Sequence, residues 1–294
     1  MAALTDQYLS IPAGTLRVLG SPAPLKAGLG GKPLVLCLHG IMVTADMWRP
    51  NLPALITAGY PALAIDLPGH GRSYRPARPL NIADLARVVD ELLTTLGAEE
   101  VCLVGNSLGG AVASEVALLR PERIARLVLV DALGLDPDIA LQRPCSYWRD
   151  LVLPALALPF VGQRAWIRRR VGRVLFHNPA RVPPEVLVME HGRGWQENYG
   201  GRLKVGWGVL RQLAPAAARR AFVQRRAGLT APTLIVWGDS DQLLPVSHAH
   251  TARALIPGAR LHIFERCGHA PNIEYPDEFN RLVMEFISSG ETGA

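Results

Sequence analysis

The sequence predicts an α/β fold, with a mostly parallel central sheet flanked by helices and a helical cap inserted after the sixth strand. Three observations predict it. Short apolar runs, with the near-continuous hydrophobicity of strands buried on both faces, alternate with longer segments of helical pattern. The alternation stops at about residue 133. From there to about residue 228, Pro144, Pro154, Pro159, Pro183 and Pro184 divide apolar and arginine-rich stretches into several short helices. Ahead of that interruption, Gly105-Asn106-Ser107-Leu108-Gly109 joins the apolar run Val101-Cys102-Leu103-Val104 to an Ala-rich helix. So sharp a strand-to-helix turn requires glycine at its flanking positions and leaves the serine hydroxyl exposed.

Taken in order, residues 8–10 and 15–19 predict a short hairpin across Pro12-Ala13-Gly14, followed by a Pro/Gly-rich connector over 21–31. The apolar run 33–38 is a buried strand ending at His39-Gly40. A helix over about 47–58, a strand over 62–66 and a helix over about 82–96 follow, the last with Asn81 as its cap. Strand 101–104, helix 110–119 and strand 124–130 continue the alternation, which implies right-handed crossovers. After the interruption come strands 233–236 and 261–264 and a closing helix over about 277–287. The expected division is a core over 1–132 and 229–294, with the cap over 133–228.

At 294 residues and 49% hydrophobic content, the chain is long enough for one large α/β domain with an insertion. Residues 1–10 carry Asp6 and no apolar run, so no secretory signal is expected. No stretch reaches the ~18 apolar residues of a membrane span. Cys37, Cys102, Cys145 and Cys267 show no paired spacing, and two of them fall in expected strands. They read as small core side chains in a reducing, cytoplasmic setting, not as a disulfide framework or zinc site.

The net charge of +6 is unevenly spread: from Cys145 to Gly228, 15 Arg or Lys stand against 4 Asp or Glu, and the rest of the chain has 16 against 21. The insertion is therefore basic. Solvated helix faces account for such charge in an arginine-rich composition; the alternative is an anionic partner, namely an acidic carrier protein, a membrane surface or a carboxylate substrate. No nucleic-acid module accompanies the charge. No ligand cluster or phosphate-binding loop implies a metal or organic cofactor.

Ser107 is the expected nucleophile. A serine hydroxyl is weak at neutral pH and needs a base within hydrogen-bond reach, itself oriented by a third group. His269 is the best base among eight histidines, because it follows the last predicted strand at the carboxyl edge of the sheet, where the serine turn also opens.

On these motifs the chain resembles the α/β-hydrolase superfamily, as a capped serine hydrolase similar to esterases and to carbon-carbon (meta-cleavage product) hydrolases. The matching segments are 34–40, Asp66-Leu67-Pro68-Gly69-His70-Gly71-Arg72-Ser73, the serine turn, Trp237-Gly238-Asp239-Ser240-Asp241 and Cys267-Gly268-His269. The order Ser, Asp, His is that of the superfamily. The resemblance implies Asp241 as the acid. Asp239 is better suited to shaping the turn, and Asp131, an acid position in some relatives, also marks the start of the cap. His39 resembles the superfamily's structural histidine.

The resemblance further implies an oxyanion hole from the N–H groups of Leu108 and Ile41. Here the turn departs from the glycine-rich turns of several relatives: Ile41-Met42-Val43 is bulky and would narrow an acyl site. The uncharged run 151–162 reads as cap core or as the roof of an apolar pocket, with Met42, Trp148, Trp166 and Trp195 as wall candidates. The function implied is hydrolysis of carboxylic esters or thioesters with hydrophobic acyl groups. Two alternatives stay open: cleavage of a carbon-carbon bond in a vinylogous diketone acid, with a cap arginine on the carboxylate, and a small-molecule receptor that retains the triad.

Overall fold

The computed structural model describes residues 3–21, 31–41, 43–137, 172–182 and 198–289. Eight strands form one sheet: β1 (Thr5–Ile11), β2 (Gly14–Gly20), β3 (Leu34–Leu38), β4 (Ala62–Ile65), β5 (Val101–Asn106), β6 (Ile124–Val130), β7 (Thr233–Gly238) and β8 (Arg260–Phe264). Their spatial order is β1-β2-β4-β3-β5-β6-β7-β8. The β1–β2 hairpin and the β2–β4 pairing are antiparallel, and every later pairing is parallel. β3 shows why these strands read as continuous apolar runs. Leu34, Leu36 and Leu38 enter one core layer and Val35 and Cys37 the other, so both faces of the strand are covered.

The helices whose ends both fall among the described residues include α1 (Leu52–Thr57), α2 (Ile82–Leu96), α3 (Leu108–Leu119), α4 (Tyr199–Leu213), α5 (Ala216–Gln224), α6 (Ser247–Leu255), α7 (Pro271–Glu274) and α8 (Pro276–Ser288). α2 and α3 contribute to the core layer on one face of the sheet, and α1 and α8 to that on the other. The single helix expected over 47–58 is instead a 3-10 turn, Ala45–Trp48, followed by α1. Pro50 lies between them and has no N–H to continue the first helix. α6 and α7 were not expected from the sequence.

β4 lies on one side of β3 and β5 on the other, so the direction of travel across the sheet reverses there. Connections leaving the carboxyl ends of β3 and β5 diverge, and a crevice opens between them. The insertion between β6 and β7 reaches toward the same end. Gly201 and Gly208 of α4 let its backbone lie directly on the loop after β4: a Cβ on Gly208 would sit 2.1 Å from the Leu80 carbonyl oxygen, and one on Gly201 would sit 2.7 Å from Gly69 Cα. No described helix is long and apolar enough to cross a membrane.

Candidate active site

Ser107 sits at the switch point with φ 53° and ψ −115°, a backbone geometry that L-residues avoid. The glycines around it explain how so tight a turn closes. A Cβ on Gly105 would lie 2.4 Å from the Gly109 carbonyl oxygen, and a Cβ on Gly109 would lie 2.2 Å from that of Leu38. The turn is pinned by Ser107 N–H donating to Val130 O (2.9 Å) and Leu133 N–H donating to Ser107 O (3.0 Å). Within residues 101–117, Ser107 alone is not buried.

Asn106 ties this turn to the loop after β8, its Nδ2 donating to the carbonyls of Val130 (3.3 Å) and His269 (3.1 Å). His269 Nδ1 lies 2.6 Å from Asp241 Oδ2, both side chains being buried. The other Asp241 oxygen accepts from Leu243 N–H (2.7 Å) and Leu244 N–H (3.1 Å). The pair is thus held from outside as well as by itself. Asp239 does something different: its Oδ1 accepts from Ser240 Oγ (2.7 Å) and Cys267 N–H (3.3 Å).

Glu274 fixes the histidine loop in place, and no sequence motif pointed to it. Its carboxylate accepts from the N–H groups of Gly268 (2.6 Å), His177 (3.1 Å) and Asn178 (2.9 Å). His269 N–H donates to Leu175 O (2.7 Å), so the described part of the insertion grips this loop directly. Cys267 is buried, and burial, reinforced by Asp131 and Glu274, pushes its thiol far above the ordinary range. That leaves it no thiolate character at neutral pH.

Asp131, at the end of β6, points into the same place. It adopts φ 43°, its N–H donates to Val236 O (2.9 Å) and its Oδ1 accepts from Gly238 N–H (2.9 Å). Burial, then the neighbouring Asp241 charge, hold its carboxyl well above the usual range. Ligand-type atoms of Asp131, Asp241 and His269 lie within 4.8 Å of one another. A separation of 2.6 Å between Nδ1 and Oδ2 is a hydrogen bond; two ligands of one tetrahedral ion at ~2.0 Å each would stand farther apart.

On the other side of the serine, a Cβ on Gly40 would come within 3.2 Å of Ser107 Cβ. His39 shapes this turn. Its Nε2 accepts from Leu67 N–H (2.9 Å), which puts the ring proton on Nδ1, facing Gly40 O at 2.6 Å. Burial pushes its pKa down to about 4, so the ring is neutral. Ile41 follows, half-buried, its side chain directed toward Gly206 of α4. Leu108, fully buried, is the first residue of α3, where N–H groups have no carbonyl one turn back. Met42, Trp148, Trp166, Trp195 and the run 151–162 lie outside the described residues.

Of the nine basic residues described in the insertion, Arg202 and Arg226 are turned inward and five are exposed. Arg226 is buried against Glu115 (2.7 Å) and Ser114 Oγ (3.0 Å), and Arg225 reaches the same carboxylate at 3.0 Å. Arg202 of α4 is buried as well, and its charge is felt at His39 and His70.

The alpha/beta hydrolase fold family model matches residues 33–276. The chain belongs to this family. This alpha/beta hydrolase is 31% identical over 279 residues to an uncharacterized protein of Mycobacterium tuberculosis (strain ATCC 25618 / H37Rv), covering 89% of this chain and 77% of the relative. It is 30% identical over 273 residues to the 2-hydroxy-6-oxononadienedioate/2-hydroxy-6-oxononatrienedioate hydrolase of Burkholderia vietnamiensis (strain G4 / LMG 22486), covering 88% of each. Among solved structures it is similar to the meta-cleavage product hydrolase from Pseudomonas fluorescens IP01, with a TM-score of 0.73, 25% identity and coverage of 97% and 98%. Family and relatives together make the chain a hydrolase.

Proposed function

We propose that this alpha/beta hydrolase cleaves carboxylic esters or thioesters of hydrophobic acyl groups through Ser107, His269 and Asp241, by way of an acyl-enzyme. The observation that carries this reading is the buried 2.6 Å His269–Asp241 hydrogen bond, tethered through Asn106 to a strained and accessible serine. Asp241 accepts from Nδ1–H and so leaves Nε2 of His269 as the base. Nε2 takes the Ser107 proton as Oγ attacks the carbonyl. The N–H groups of Leu108 and Ile41 stabilise the oxyanion, each contributing about 3 kcal/mol. Collapse expels the alcohol or thiol, which receives the proton from His269, and a water activated by the same ring releases the acid.

A serine at this turn cannot form the alkyl-enzyme ester that a carboxylate nucleophile forms, which separates the chain from dehalogenase-like and epoxide hydrolase-like neighbours of the fold. The bulk at Ile41 favours unbranched acyl groups. The test is steady-state hydrolysis of p-nitrophenyl esters from acetyl to lauroyl. Wild type should turn over with a chain-length optimum, and Ser107→Ala should fall by at least ~10⁴-fold. Activity surviving in folded Ser107→Ala overturns the assignment.

A second reading, carbon-carbon bond hydrolysis of a vinylogous diketone acid, is supported by the activity named for the Burkholderia relative and by Asn106 ahead of the serine. On this reading an arginine of the insertion holds the substrate carboxylate. Turnover of such an acid, lost in Ser107→Ala and faster than that of any ester in the series, would select it. Binding of a small molecule with no multiple turnover of either class would instead favour a receptor.

A further inference from the structure

The mechanism leaves two features of the insertion unused, its exposed basic charge and the outer face of α4. We propose that this face is a membrane-docking surface, which seats the enzyme on anionic lipid beside the opening of its crevice. The docking surface is independent of the ester reading; its role in bringing a hydrophobic acyl chain to Ser107 rests on that reading.

Of the five large hydrophobic side chains exposed among the described residues, three belong to α4: Leu203 at 44%, Trp207 at 55% and Leu210 at 45%. With exposed Ala214, which continues the helical backbone, they follow at spacings of four, three and four residues. That spacing makes one stripe about 16 Å long. Exposed apolar side chains scattered singly need no explanation, whereas a contiguous stripe marks an interaction site.

The helix sets where this stripe lies. Arg202, Val205 and Val209 of α4 turn inward. Next around the cylinder is Gly206, where a Cβ would have Ile41 Cδ1, at 3.6 Å, as its one neighbour among the described residues. The apolar stripe follows, and exposed Arg211 lies beyond it. The stripe therefore borders the crevice on the side of Ile41.

Charge identifies the occupant. Residues 198–228 carry seven Arg or Lys and no Asp or Glu, and residues 67–80, on which α4 rests, carry three Arg and no acid. Arg211 and Arg220 are exposed. Asp84 of α2, beside that loop, is matched by both Arg78 and Arg87. Tryptophan and leucine on one helix face, bordered by arginine, suit a helix lying in the headgroup region, where apolar burial and attraction to anionic lipid add. Anionic lipid matches both parts of the surface; an acidic protein matches the charge alone.

The test is flotation of the full chain with vesicles of phosphatidylcholine alone and of equal parts phosphatidylcholine and phosphatidylglycerol. Wild type should partition at least ~10-fold more strongly onto the anionic vesicles and lose that preference in about 1 M salt. Arg211→Gln should weaken anionic binding about 5-fold, and Leu203→Gln combined with Trp207→Gln at least ~10-fold. Glutamine is a good helix former at exposed positions. Melting followed by circular dichroism, and labelling of Ser107 by a fluorophosphonate, check fold and site in each variant. The rate on a long-chain ester held in anionic vesicles, relative to that on a soluble short-chain ester, should fall in step with binding.

Folded wild type that does not float with anionic vesicles overturns the proposal, as does flotation that the Leu203/Trp207 variant retains. Retention on an immobilised acidic protein without flotation would assign the charge to a protein partner and overturn it too. So would a dimer in solution that the same variant dissociates, since a second copy would then cover the stripe. Ser107→Ala should float like wild type and hydrolyse neither ester. If it floats and hydrolyses both, the serine-hydrolase reading fails while docking stands.

Discussion

Gly40 and Gly109 both border the candidate nucleophile, yet a methyl group added at each should have opposite kinds of effect. At Gly109 it would lie 2.2 Å from the Leu38 carbonyl oxygen, which belongs to a central strand and cannot move without shifting the sheet. Gly109→Ala should therefore lose at least ~3 kcal/mol of stability by urea unfolding, or fail to fold. At Gly40 the nearest atoms are Asn106 Oδ1 at 3.1 Å and Ser107 Cβ at 3.2 Å, both side-chain atoms that can give by a few tenths of an ångström. Gly40→Ala should keep stability within about 1 kcal/mol while lowering ester kcat at least ~10-fold, since what gives way is the serine itself. An equal loss of stability in both variants would show that the turn does not make this distinction. The need for glycine around Ser107 is local, and so it was readable from five consecutive letters. The tether from Asn106 to the His269 carbonyl and the clamp of Glu274 on His177 and Asn178 join distant stretches of chain, and no spacing in the sequence marks them.

The elements most readable from the sequence are those whose ends are set by their own residues. α2 runs over Ile82–Leu96, as its signals imply, because Asn81 and Asp84 cap each other reciprocally and Gly97, at φ 64°, provides the left-handed stop. Asn81→Ala should cost about 1 kcal/mol, seen as a lower urea midpoint at unchanged slope, with kcat for the ester unaffected because the bond lost is internal to the first turn of α2. A fall in kcat with stability intact would mean that α2 governs the site in some way its packing does not indicate. The strands were equally legible, since a parallel sheet covered on both faces forces unbroken apolar runs such as Leu34–Leu38. The segment over 45–57 was harder, because apolar residues continue across Pro50 while the backbone cannot. α7 is shorter than any periodicity can register. The arginine pairs of the insertion read as solvated charge, whereas Arg226 is buried on Glu115; one helix's pattern carries no record of a carboxylate on another element.

Across the whole molecule, the site end of the sheet rests on buried polar groups whose protonation ties stability to pH. Arg17 of β2 meets Asp6 at 2.6 Å, Asp46 at 2.9 Å and Asp66 at 3.3 Å; Asp66 in turn accepts from Ala45 N–H (2.8 Å) and Arg72 N–H (2.9 Å). This hub joins the hairpin to the loops after β3 and β4. Beside it His39 and His70 pack edge to face, with ring centroids 4.9 Å apart. Both are held neutral chiefly by burial, His39 down to about 4 and His70 well below its ordinary value. Their folded pKa values lie below the unfolded value near 6.5, so the unfolded chain binds more protons in the interval between. Stability is therefore fully present above about pH 6.5 and declines as pH falls toward 4, by about 3 kcal/mol from His39 alone. Asp46 belongs to a different window. Burial opposes its ionisation, but Arg17 and Arg49 outweigh burial and hold its carboxyl below 3.8, so its contribution is lost only at still lower pH. Urea unfolding at pH 7, 6 and 5 should show a midpoint that falls with pH, and His39→Gln should flatten the fall. Because His39 hydrogen-bonds the Gly40 turn beside Ser107, fluorophosphonate labelling should weaken over the same interval. A midpoint unchanged between pH 7 and 5 would mean that the two rings are not buried as neutral bases, and the account of how this end of the sheet is held would have to change.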